Sequence, residues 1–160
     1  MRSDFEIILS ENDILITDNR IVDTYFCVRL GETYFPDPEW TDLTLEVLSM
    51  WADNLLRIHA GLNGACRLFF MDGPFSMKVE QTGDDLCITA ISDRYRTTVE
   101  AIAHCRRDDM IRELIKAFSH LDYMIRQCES ASDAVRNTVH INVDHYRSLL
   151  KAQIADKECP

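Results

Sequence analysis

Carboxylates dominate the residues of this chain that could carry chemistry. The densest group is Phe35-Pro36-Asp37-Pro38-Glu39-Trp40-Thr41-Asp42, which sets three carboxylates around an indole in a turn. Two chemistries use such a group. Paired carboxylates hydrolyse glycosidic bonds when one of them is held protonated, and carboxylates beside an aromatic side chain attract and anchor a basic protein surface. Nothing in the spacing of Asp37, Glu39 and Asp42 sets one carboxyl apart from the others, so recognition is the functional reading, with Asp37, Glu39, Trp40 and Asp42 as partner contacts: Asp37 and Glu39 draw cations, and Trp40 supplies contact area. A purely architectural role competes with it. There the two prolines stiffen the loop, Trp40 staples the following helix to the core, and Asp42 caps that helix. A second acidic turn, Thr82-Gly83-Asp84-Asp85, adds Asp84 and Asp85 as partner-contact candidates, although it reads first as a hairpin turn and lacks the ligand pattern of a calcium loop.

Other reactive side chains are scattered. The histidines are His59, His104, His120, His140 and His145, and none forms H-E-x-x-H. His140 and His145 would stand about 140° apart around a helix, not on one face. His104 adjoins Cys105, but neighbours on a strand point to opposite faces and cannot act as a nucleophile–base pair. The six cysteines, Cys27, Cys66, Cys87, Cys105, Cys128 and Cys159, contain no C-x-x-C pair. Most lie in apolar or periodic segments, where a thiol packs as a small hydrophobe; Cys66 and Cys87 could approach each other on paired strands. Reduced thiols and a cytoplasmic location follow, with no metal and no cofactor expected. Glycine-rich phosphate loops and the G-x-S-x-G elbow are missing.

The elements that must position these groups belong to one α+β domain spanning residues 1–160. At 160 residues, 46% apolar and 28% charged, the chain suits a single globular domain without disulfide or metal. Its longest run free of Asp, Glu, Lys and Arg is the nine residues Ile58 to Cys66, short of the ~20 that a membrane helix needs. Met1-Arg2-Ser3-Asp4 turns acidic at once, unlike a secretory signal. The net charge of −10 disfavours nucleic acid and anionic membrane as partners. It is unevenly spread: residues 1–60 carry 12 acidic and 4 basic residues, and the remaining hundred carry 15 and 13. Such asymmetry bears on partners, here a basic one.

Periodicity supplies mostly antiparallel sheet, a meander of about four strands plus N-terminal strands, packed with two to three helices. Phe5 to Leu9 and Ile14 to Thr17 read as strands joined by a turn at 10–13, and Thr24 to Leu30 turns at Gly31-Glu32 into Thr33 to Phe35. A helix capped by Thr41 or Asp42 runs to about Ile58, with Gly61 as its stop. It is apolar around most of its girth apart from Glu46, Ser49, Asp53 and Arg57, where Asp53 and Arg57 can pair, and so should be largely buried. Strands at 67–71, 75–80, 86–91 and 95–103 follow, with short turns that require antiparallel neighbours. A second helix starts at Asp108-Asp109, and Ser130 to Asp133 caps a third segment. Its stripe of Val143, Tyr146, Leu150 and Ile154 could pack on the sheet or form a homodimer contact.

The 35–42 segment entering a Leu- and Trp-rich helix, followed by Phe-Phe-Met-Asp-Gly-Pro-Phe at 69–75, resembles small acidic uncharacterised bacterial proteins. Some proteins of this size and acidity are similar to immunity proteins of contact-dependent or secreted toxin systems. The resemblance covers roughly residues 24–125, assigns no functional residue, and implies a binding role. Two function classes follow: a module that occludes a basic toxin or nuclease, and a hydrolytic enzyme with carboxylates near Trp40. A structural oligomeric subunit is a third.

Overall fold

Alternating apolar and polar residues organise the middle of the chain, and a computed structural model shows how the rest wraps around it. The structure describes residues 3–17, 21–58 and 63–155. Strands β5 (Asn63–Phe69), β6 (Phe75–Thr82), β7 (Asp85–Ser92) and β8 (Thr98–Arg106) form an antiparallel meander in that order. Met77, Val79, Leu86, Ile88, Ala90 and Ala103 are buried on its inner face. Thr82 pairs with Asp85 across a two-residue loop, which Gly83 permits by adopting φ +61°.

A second antiparallel sheet holds β1 (Phe5–Thr17), β2 (Ile21–Leu30), β3 (Thr33–Phe35) and β4 (Thr41–Leu43), with β3 and β4 both pairing with β2. Phe5, Ile7 and Leu9 stand opposite Leu30, Val28 and Phe26, and all six are buried. Helix α1 (Thr44–Ile58) lies against β5 and β2, α2 (Arg107–Gln127) lies along β1, and α3 (Asp133–Ala155) packs on α2 and α1. The protein is thus an α+β fold in which three helices and two sheets share one core. Trp51 sits at its centre, its ring 5.2 Å from those of both Phe26 and Phe70. Its indole N–H donates to the Phe69 carbonyl at 2.8 Å, fixing α1 to the end of β5.

Several sequence expectations are corrected. The turn expected at 10–13 is a register shift between Ser10 and Leu15 within one long strand, because β2 offers pairing partners on both sides of it. Residues 41–43 form a strand on β2, so α1 starts at Thr44 and Asp42 is not its cap. β8 begins at Thr98, not at Tyr95, because the exposed residues 93–97 are needed to reverse the chain after β7. Asp53 accepts a hydrogen bond from the Tyr146 hydroxyl at 3.2 Å. Cys66 faces Val79 and Cys87 faces Glu80, so β6 separates these two cysteines. Cys27, Cys66, Cys87, Cys105 and Cys128 are free thiols, while Cys159 and the expected helix stop Gly61 lie outside the described residues. The stripe of α3 packs on helices α2 and α1 and not on the sheet: Val143 and Leu150 are buried, and Tyr146 stacks on Phe118 with ring centroids 5.3 Å apart.

Candidate partner-binding surface

The two distinctive segments of the sequence meet. Asp37 folds the loop that follows β3: its Oδ1 accepts the Glu39 N–H at 2.8 Å, and its carbonyl accepts the Trp40 N–H at 3.1 Å. The Trp40 carbonyl accepts the Phe26 N–H at 2.9 Å, tying the loop to β2. The half-buried indole of Trp40 packs edge-on to Phe75 with ring centroids 5.1 Å apart. Gly73 lies directly against it. A Cβ there would stand 2.7 Å from Trp40 Cη2, so the Asp72-Gly73-Pro74 turn can approach the ring only with glycine at this position.

Asp42 ties both segments together from inside. Its side chain is buried, Oδ1 accepts the Leu43 N–H at 2.8 Å, and Oδ2 accepts from Trp40 Nε1 at 3.1 Å. The Oδ2 atom also accepts the backbone N–H groups of Met71 and Asp72 at 3.1 and 3.4 Å. Four donors compensate the buried carboxylate for lost hydration. Asp42, expected as a surface contact, therefore braces the surface from beneath and cannot meet a partner. Trp40 too is chiefly a staple, although its edge remains partly accessible.

The braced unit presents Asp37, Glu39 and Asp72 to solvent, with Asp23 half-buried on β2. Burial is the main cause that pushes the Asp23 carboxyl above the ordinary range, followed by the charges of Asp72 and Asp42. Among the described residues, no cation pairs with Asp23, Asp37, Glu39 or Asp72.

Asp84 and Asp85 are elsewhere. They lie at the opposite end of the β6–β7 hairpin from Phe75, seven residue steps or roughly 23 Å along the strands from the Trp40 end. Asp84 pairs with Arg106 at 3.4 Å. Asp85 lines an open groove of about 430 Å³ with Ser3, Asp4, His104, Cys105, Arg106 and Asp109. Burial pushes the Cys105 thiol up to about 12, helped by Asp109, Asp4, Asp85 and Glu113. At neutral pH it stays protonated and is no nucleophile. The six candidate residues thus divide into one surface loop, one internal brace and one distant turn.

A second groove, of about 390 Å³, opens beside the loop, where Thr33, Tyr34, Phe35 and Pro36 face Phe75, Ser92, Arg94, Tyr95, Arg96, Thr98 and Glu100. Pro36 follows a cis peptide bond. Neither groove is lined by Asp37, Glu39 or Asp84, so the carboxylates expected of a hydrolytic centre do not converge on either. Sequence reading missed this groove because Tyr95 was placed in a strand. The signal available was the triplet Arg94-Tyr95-Arg96, a basic and aromatic run in an acidic chain. Among the described residues no helix is long and apolar enough to cross a membrane, and no three His, Cys, Asp or Glu side chains group to hold a metal ion. The chain matches no protein-family model, and no curated protein or solved structure is significantly similar to it.

Proposed function

We propose that the protein is an acidic binding module that occludes a basic protein partner, in the manner of an immunity protein covering a basic toxin or nuclease. One observation carries this reading: Asp23, Asp37, Glu39 and Asp72 surround a loop braced by buried Asp42 and by Trp40 and Gly73, and no cation among the described residues pairs with them. An ordered, unneutralised anionic surface costs little reorganisation on binding and attracts a cationic partner over distance. The reading places the protein in the cytoplasm, which is consistent with free thiols at Cys27 and Cys66, both pushed up to about 11 chiefly by burial.

Affinity capture from the source cells, at low and high salt, tests it. Wild-type protein should retain one basic partner at low salt and release it at high salt, and the D37K/E39K variant should retain little of it. Equal retention by wild type and variant, or repeated capture of no basic partner, contradicts the reading.

A further inference from the structure

The groove beside the acidic loop has the opposite chemistry. Its walls are two strand edges: among the described residues β3 pairs only with β2, and β8 only with β7. Its floor holds Phe35 and Phe75, packed edge to face with centroids 5.8 Å apart. Arg94 and Arg96 are exposed and have no hydrogen bond or ion pair among the described residues; the Arg94 guanidinium lies 5.9 Å from the centroid of the exposed Tyr95 ring. Tyr34 stands exposed across the groove. The one carboxylate lining it, Glu100, accepts a hydrogen bond from the Thr98 hydroxyl at 2.8 Å.

We infer that this groove receives an extended, carboxylate-bearing segment of a partner protein, laid along the open strand edges with its acidic side chains on Arg94 and Arg96. Guanidinium forks match carboxylates in shape and charge. Strand edges offer unpaired N–H and C=O groups to an added chain, whose side chains alternate and so can present every second residue to the arginines. Tyrosine and arginine together supply contact area at a low cost in side-chain freedom. Glu100 repels an acidic side chain at its own end of the groove and so sets where along the segment the carboxylates can sit. The field of a chain with net charge −10 opposes single-stranded nucleic acid, charged at every nucleotide, more than a segment with a carboxylate at every second residue.

The full chain is titrated by fluorescence polarisation against a fluorescein-labelled octapeptide of alternating glutamate and valine. Controls are the same peptide with glutamine for glutamate, and a labelled thymidine oligonucleotide of equal length. Saturable binding of the glutamate peptide is expected, about tenfold weaker in R94A/R96A and tighter in E100Q, with no loss in D37K/E39K. These side chains are exposed, and circular dichroism establishes that each variant is folded. The inference is overturned by absence of binding, by equal binding to R94A/R96A, by loss in D37K/E39K, by equal or tighter binding of the glutamine peptide, or by tighter binding of the oligonucleotide. The acidic-loop reading is untouched by any of these results, since its own test is capture of a basic partner.

Discussion

Helices α2 and α3 and the braced acidic loop both carry many carboxylates, yet they treat them in opposite ways. On α2 and α3 every carboxylate among the described residues has a cation within 4.0 Å. Asp108 has Arg107, Asp109 has Arg112, Glu113 has Lys116 and Asp122 has Arg126. Asp133 has Arg136, and Asp144 has Arg147. Most of these pairs are three or four residues apart on one helix and partly exposed, so each contributes little to stability. Around the loop, Asp23, Asp37, Glu39 and Asp72 have no such neighbour among the described residues, and the buried Asp42 is held by N–H groups. Net charge by itself does not distinguish the two regions; the placement of cations among the described residues does.

The comparison breaks most sharply at its buried member. Asp42→Ala leaves four donors without their acceptor, and should destabilise the fold by about 3 kcal/mol. Chemical denaturation measures this, and a loss under about 1 kcal/mol would mean that the carboxylate does not brace the loop. Gly73→Ala drives a methyl group into the Trp40 ring and should cost about 2 kcal/mol, with a change in Trp40 fluorescence. On the helices, Lys116→Ala removes one exposed cation and should shift stability by less than about 1 kcal/mol.

Asp23 sharpens the contrast through pH. Its folded carboxyl is held above the ordinary aspartate range, so the unfolded chain gives up this proton more readily than the folded one. Below the ordinary value both states hold the proton and the residue costs nothing; above the raised value both are ionised and the folded state bears the full penalty. Asp23→Asn should therefore raise the denaturation midpoint at neutral pH, and the gain should fade as the solution is acidified through the carboxylate range. An equal gain at all pH values would show that charge is not the cause.

Much of this was legible in local sequence. Alternation from Phe75 to Ile91 with Gly83 at the turn located the hairpin, and the spacing of Ile111, Leu114, Phe118, Leu121 and Ile125 located the buried face of α2. The 35–42 segment stands out in the sequence, but its inner logic does not. Asp42 takes hydrogen bonds from residues 29 and 30 positions away, and no local spacing signals a partner that distant. β4 was hidden for the same reason: three residues form a strand only because β2 extends beside them. The groove with Arg94 and Arg96 arises where two separate sheets end side by side, which is a property of their packing and not of either segment.

The most direct measurement needs no identified partner. A lysine oligomer titrated into isotopically labelled protein, followed by backbone amide NMR, reports where the surface attracts cationic peptide. The account predicts that shifts concentrate at Asp23, Asp37, Glu39 and Asp72, weaken with added salt, and vanish in D37K/E39K at the loop. Shifts spread evenly over the molecule, or centred on α2 and α3, would contradict it.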